Sequence, residues 1–222
     1  YLSIDQDEEA YETAMSAIDP LVASGNLRAA SRAGSLANDA AKRLHDRPKR
    51  LAAIERALEI AKEFNAPHDV IALTRMAAKA YVDTPTGKVS EADKERALQA
   101  VDAGSTWLDS FTEEIDPQEM TFLRAGITYI KGWVYMTSHD HYPAIPLLQE
   151  AFALQKEIKD AENYVFPLAA LSQCYSELGD TDALHNLLIE VKETIKTTSL
   201  HSGKLRTLAR EIEKELSGQG EA

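Results

Sequence analysis

Cysteine and glycine are scarce in this chain, and alternation of β-branched with polar residues is almost absent. Cys174 is the only cysteine among the 222 residues. A lone cysteine excludes an internal disulfide framework and favours a reducing compartment, so we expect a cytoplasmic location. With only 10 glycines and no period-two alternation, a β-sheet is not expected.

Long apolar runs and an excess of basic residues are missing as well. No apolar run approaches the roughly 18 residues of a membrane span, and the N-terminal stretch YLSIDQDEEAYE is acidic, unlike a secretory signal. The net charge of −12 disfavours binding to nucleic acid or to an anionic membrane. The chain begins at Tyr1 without a methionine, which indicates a domain of a longer polypeptide.

Apolar residues make up 44% of the chain and recur at the three- and four-residue spacing of amphipathic helices. Two such stripes are Leu51, Ile54, Leu58 and Ala61, and Leu184, Leu188, Val191 and Ile195. Turn-forming segments separate about ten helices of roughly 15–24 residues. Ser90 and Asp116 are expected to be N-caps, and Gly179 is expected to follow a helix end. The sequence therefore predicts an all-α protein.

The chain also shows weak self-similarity. Residues 56–81, moved along by 94 positions, align without a gap on residues 150–175, and Tyr81 then meets Tyr175. Apolar positions match along most of both segments. This indicates a repeated helical hairpin.

Three predicted helices carry a small residue three positions before a tyrosine. The pairs are Ala78 and Tyr81, Gly132 and Tyr135, and Ser172 and Tyr175. A small side chain lets the partner helix approach closely, while the tyrosine fills the seam and satisfies its hydroxyl at the rim. The stretches GWVYMTSHDHYPAIPLLQEA and LAALSQCYSELGDTDALHNLLIEV continue with a turn and then a second helix.

This order of residues resembles the tetratricopeptide repeat (TPR). The resemblance implies a right-handed superhelix (an α-solenoid) of about five antiparallel hairpins in one domain, 1–222. An N-terminal helix would occupy 1–25, the repeats 27–198, and a capping helix with a frayed tail 199–222. It also implies a protein- or peptide-binding module without enzymatic activity or cofactor, within a bacterial regulatory or signalling protein.

In such a stack the first helix of each hairpin lines a concave groove. The groove positions singled out in this chain are Arg75, Lys79, Tyr129, Trp133, Met136 and Gln173. Aromatic residues and methionine would anchor apolar side chains of a peptide, and the basic pair would bind an acidic or C-terminal carboxylate group. The alternative is that Tyr129 and Trp133 are core residues.

The stretch HDH, residues 139–141, is the one cluster of residue types common in metal and catalytic sites. In the repeat register His139 takes the position of Gly179 and Asp140 that of Asp180, which predicts a turn between paired helices. Two histidines at positions i and i+2 supply at most two of the ligands that zinc needs, so no metal site is expected.

Two other functions stay open at this stage. One is a helical sensor domain that responds to a small molecule or a metal, or an enzyme, using His139 and His141. The other is a self-assembling scaffold in which the terminal helices, 1–24 and 199–218, pair protomers into a homo-oligomer.

Overall fold

The computed structural model of the chain describes residues 2–84, 87–111, 115–198 and 202–218, and this part of the chain is helical, with no strand. The helices are α1 (Leu2–Ala23), α2 (Leu27–Arg43), α3 (Arg47–Glu63), α4 (Pro67–Val82), α5 (Glu91–Asp109), α6 (Pro117–Thr137), α7 (His141–Glu157), α8 (Val165–Leu178), α9 (Thr181–Thr197) and α10 (Ser202–Gly218). The prediction of an all-α protein is confirmed. The predicted frayed tail at 219–222 lies outside the described residues. None of the described helices combines the length and the apolar character needed to cross a membrane.

The chain divides into two compact units. Unit 1 spans Tyr1–Phe111 and contains α1 to α5, and unit 2 spans Thr112–Ala222 and contains α6 to α10. Within each unit, helices that follow one another in the sequence pack side by side.

Six of the helix connections use the same left-handed turn, which we call the αL turn. Its central residues have φ between 55° and 76°: Gly25, His45, Asn65, His139, Lys159 and Gly179. In the turn after α6, the N–H of His139 donates to the Met136 carbonyl and the N–H of Asp140 to the Tyr135 carbonyl, both at 2.9 Å. These bonds satisfy carbonyls that the helix end leaves open. The predicted turn at HDH is confirmed.

The helix starts follow from local side chains. Ser90 accepts a hydrogen bond from the N–H of Asp93, and Asp116 accepts from Gln118 and Glu119, as expected of N-caps. Three helices, α3, α4 and α6, also have proline at their first or second position, where no intrahelical hydrogen bond is lost.

Unit 1 is packed largely through small residues. A Cβ added to Gly34 of α2 would lie 2.6 Å from the Ala57 Cβ and 3.0 Å from the Ala53 carbonyl oxygen of α3. The two helix backbones are therefore in close approach. Arg47, the first residue of α3, pairs with Asp93 of α5, and this hydrogen bond is the main reason that the pKa of Asp93 is lowered.

Unit 2 has a larger apolar core. Its fully buried large side chains include Leu123, Leu148, Leu168, Leu184, Leu205 and Ile212. A Cβ on Gly132 would lie 2.9 Å from Leu148, so the small residue before Tyr135 does allow α7 to approach α6 closely, as expected. The hydroxyl of Tyr175 accepts a hydrogen bond from Gln149 at 3.1 Å.

The offset of 94 residues relates the secondary structure of the two units. Helix α3, Arg47–Glu63, corresponds to α7, His141–Glu157, at both ends. The αL residues on either side correspond as well, since His45 precedes α3 as His139 precedes α7. Unit 1 and unit 2 thus share one helix with the same bounds, together with the αL turns before and after it.

Candidate functional site

The six predicted groove residues belong to both units. Arg75 and Lys79 lie one helical turn apart on α4 of unit 1, and both are exposed. The other four residues belong to α6 and α8 of unit 2 and are described by themselves below.

In unit 2, Tyr129 and Trp133 are half-buried on α6, and each packs against the core while part of its side chain stays accessible. Met136 is different, because it is only 7% exposed and belongs to the core itself. Gln173 is exposed on α8. Of the predicted apolar anchors, Tyr129 and Trp133 are therefore within reach of a ligand, whereas Met136 is a core residue.

The structure adds an aromatic residue that the sequence reasoning missed. Phe166 of α8 is 44% exposed, and its ring centroid lies 6.1 Å from that of Tyr129. The ammonium group of Lys204 lies 5.6 Å from the Phe166 ring centroid. Phe166 precedes Gln173 by seven residues, which is two helical turns, so the helical period of α8 could have indicated it.

A separate cavity of about 550 Å³ lies between α7, α8 and α9. It is lined by Gln149, Phe152, Ala153, Lys156, Leu171, Tyr175, Ala183, Asn186, Leu187 and Glu190. Lys156 reaches across it to Glu190, with 3.3 Å between the charged atoms. None of these side chains is among the predicted groove residues.

The two histidines of the HDH turn meet a carboxylate of the next hairpin. His139 Nδ1 and His141 Nε2 each lie 3.0 Å from Glu177 Oε2 of α8, and the three atoms are all within 4.8 Å of one another. His139 is exposed, whereas His141 is buried at the first position of α7. The sequence reasoning counted two possible ligands here and missed Glu177.

The charge of Glu177 is favoured by its neighbours. Burial of the carboxylate opposes ionisation, but hydrogen bonds from Gln173 and His139, together with the nearby imidazoles, outweigh it, and the pKa of Glu177 is lowered. Gln173 Nε2 donates to Glu177 Oε1 at 2.8 Å. The other oxygen, Oε2, is thereby left facing the histidines.

Cys174 is fully buried in the core of unit 2. Burial raises the pKa of its thiol to about 11, and the nearby Glu177 carboxylate adds to this. A buried thiol with a raised pKa is typical of a packing residue rather than of a nucleophile.

The chain matches no protein-family model and no curated protein sequence. The resemblance to the tetratricopeptide repeat therefore stays a prediction from the residues that carry it.

Proposed function

We propose that the chain is a non-enzymatic, TPR-like helical repeat module that binds a protein or peptide, and that its binding surface in unit 2 runs along α6 and α8. The observation that carries the proposal is the contact between Tyr129 and the exposed Phe166. Aromatic rings that meet across neighbouring helices and remain accessible are suited to anchoring apolar side chains of a partner.

A basic group accompanies the aromatic rings of the proposed surface, since Lys204 lies beside Phe166 in unit 2. Within unit 1, taken by itself, Arg75 and Lys79 are exposed on α4 and remain predicted to bind carboxylates. Ammonium and guanidinium groups form charge-assisted hydrogen bonds with carboxylates. We therefore propose a ligand that combines apolar side chains with an acidic or C-terminal carboxylate group.

Three observations support the TPR-like part of the proposal. They are the close approach of Gly132 to Leu148, the hydrogen bond between Gln149 and Tyr175, and the repeated αL turns. A superhelical stack of hairpins would be the arrangement that such units build. A cytoplasmic location is proposed from the lone, buried cysteine, and the place in a bacterial regulatory or signalling protein from the resemblance alone.

The proposal is tested with peptides selected from a random display library against the whole chain. Selected peptides are titrated by calorimetry into the wild-type protein and into the Phe166→Ala and Trp133→Ala variants. We expect at least roughly tenfold weaker binding for Phe166→Ala, since truncating an aromatic anchor costs about 2 kcal/mol or more. Circular dichroism checks that each variant remains folded.

The matched control is Tyr142→Ala, which removes an 80% exposed aromatic side chain from α7, outside the proposed surface. Its affinity for the selected peptides should equal that of the wild type. If Phe166→Ala and Trp133→Ala bind as tightly as Tyr142→Ala does, the surface along α6 and α8 is not the binding site.

A further inference from the structure

We propose that His139, His141 and Glu177 form a binding site for one divalent transition-metal ion of the zinc class. The site links the turn between α6 and α7 to the last turn of α8 in unit 2. Imidazole nitrogen and carboxylate oxygen are the donor types that zinc takes in proteins with three protein ligands and an open position. The three ligands of this site are not the aromatic anchors of the proposed peptide-binding surface, whereas Gln173, one of the predicted groove residues, contacts the ligand Glu177.

The positions of the three donor atoms fit such an ion. In a tetrahedral zinc site, with bonds of 2.0–2.2 Å, neighbouring ligand atoms lie roughly 3.3 Å apart. Glu177 Oε2 is 3.0 Å from His139 Nδ1 and from His141 Nε2, and no pair among the three donor atoms is more than 4.8 Å apart. Small side-chain movements would therefore be sufficient to bring the three atoms to bonding distance around one ion.

The site is both reachable and held in place. The side chain of His139 is 67% exposed, so an ion can enter from solvent and water can complete its coordination. The side chain of His141 is only 9% exposed and is held by the packing around it, and the exposed Glu177 is held by its hydrogen bond from Gln173. A site of this kind, with one open side, differs from the closed four-ligand sites of structural zinc.

Gln173 positions the carboxylate for the ion. Its amide donates to Glu177 Oε1 at 2.8 Å, which directs Oε2 toward the two imidazoles. Groups that hold a metal ligand through a second hydrogen bond raise affinity by roughly 10- to 100-fold. Gln173 is thus a positioning residue of the proposed site.

We call His139, His141 and Glu177 the corner of unit 2. By the offset of 94 residues it corresponds to His45, Arg47 and Asp83 in unit 1, where ion pairs connect the helices. Asp83 lies 94 residues before Glu177, and it pairs with Arg50 at 3.4 Å. Arg47, which precedes His141 by the same offset, pairs with Asp93. A guanidinium group carries a permanent charge and does not ligate metals. Unit 2 instead has the imidazole of His141 where unit 1 has the Arg47 guanidinium.

The charge of the whole chain is of the sign that a cation site needs. The net charge of −12 favours the approach of a cation.

The test is a titration of the metal-free protein with zinc chloride, followed by calorimetry, with visible absorption after cobalt(II) loading as a second readout. We expect one equivalent of zinc to bind to the wild-type chain and to raise its melting temperature. His139→Asn and Glu177→Gln should each weaken binding by at least about 100-fold, because each removes a direct ligand. Asparagine tolerates the left-handed turn conformation, so His139→Asn keeps the backbone.

The matched control is His45→Asn, which changes a histidine with φ of 55° in the equivalent turn of unit 1. Zinc binding by this variant should equal that of the wild type. The proposal is overturned if the wild type takes up no stoichiometric zinc. It is equally overturned if His139→Asn and Glu177→Gln bind zinc as the wild type does, or if His45→Asn loses binding to the same extent as they do.

Discussion

At the scale of single residues, Glu177 makes the contacts that hold the corner of unit 2 together. One of its oxygens accepts a hydrogen bond from Gln173, and the other faces the two histidines. These contacts outweigh the effect of burial and lower its pKa. The folded chain therefore favours the ionised form of the Glu177 carboxyl group more than the unfolded chain does.

We expect this carboxylate to make stability depend on pH in a defined direction. Because its folded-state pKa lies below the ordinary value of 4.5, its stabilising effect is complete above that pH and is lost as the pH falls through the folded-state pKa. Glu177→Gln should lower the urea midpoint of the metal-free chain at pH 7, and the difference from the wild type should become smaller at a second pH below 4.5. An equal difference between variant and wild type at both pH values would contradict this.

Cys174 should be chemically inert in the folded protein. Its thiol is fully buried, and its pKa of about 11 leaves almost no thiolate at neutral pH. We expect dithionitrobenzoate at pH 8 to modify native protein at least about 100-fold more slowly than protein unfolded in guanidinium chloride. Rapid modification of the native chain, with its circular dichroism unchanged, would show that the thiol is accessible.

The candidate site could be predicted only in part at this scale. Caps such as Ser90, and the turn at His139, depend on neighbouring residues and were predictable from the sequence. Glu177 was not, because it is separated from His139 by 38 residues and approaches it only when α8 packs beside α7. Met136 was assigned to the groove from helical spacing alone, but the same spacing also fits the core that it joins.

At the scale of helices, α2 and α3 of unit 1 approach each other closely at Gly34. A side chain there would meet the Ala57 Cβ and the Ala53 carbonyl, and neither of these can rotate away. At Gly132 in unit 2 the two nearest atoms are Cγ and Cδ2 of Leu148, which move when that side chain rotates, and the Leu147 Cβ is farther away at 3.2 Å. The two glycines should therefore differ in how well they tolerate substitution.

We expect Gly34→Ala to lower the free energy of unfolding by about 1–3 kcal/mol, the usual cost of overpacking. Gly203→Ala is the control, since no atom lies within 4 Å of the added Cβ. It should leave stability unchanged or raise it by no more than about 1 kcal/mol. Urea denaturation followed by circular dichroism measures the free energy of unfolding of both variants and of the wild type.

A second variant separates overpacking from other causes. In Gly34→Ala combined with Ala57→Gly, the new methyl group occupies space that the old one has left. The double variant should regain part of the lost stability, because the close contact between the two Cβ positions is relieved. Additive losses from the two changes would mean that crowding against Ala57 is not the cause.

Most helices could be predicted because their signals are local. The apolar spacing and the caps gave ten segments, and ten helices are described. The start of α8 is less regular: α4 begins at Pro67, whereas residues 161–164 form turns before α8 begins at Val165. Asn163 donates to the Asp160 carboxylate at 2.7 Å there, and such side-chain bonds compete with helix formation.

At the scale of the whole molecule, the same offset of 94 residues relates both the sequences and the helix bounds of the two units. The sequence showed it only for residues 56–81 and 150–175, whereas the structure extends it to the ends of α3 and α7 and to the turns around them. The two units thus contain one helix and its flanking turns twice, with different side chains beside them. His45 corresponds to His139, whereas Arg47 in unit 1 stands where unit 2 has His141.

This division predicts that unit 2 folds and binds metal without unit 1. Residues 112–222 contain their own apolar core and all three proposed ligands. Expressed alone, this fragment should unfold cooperatively in urea and bind one equivalent of zinc with an affinity within about tenfold of the whole chain. The matched control is the fragment 1–111, which should bind no zinc. It has His45 in the turn that corresponds to His139, but Arg47 in place of His141. A folded fragment 112–222 without zinc binding, beside a whole chain that binds it, would mean that unit 1 supplies part of the site.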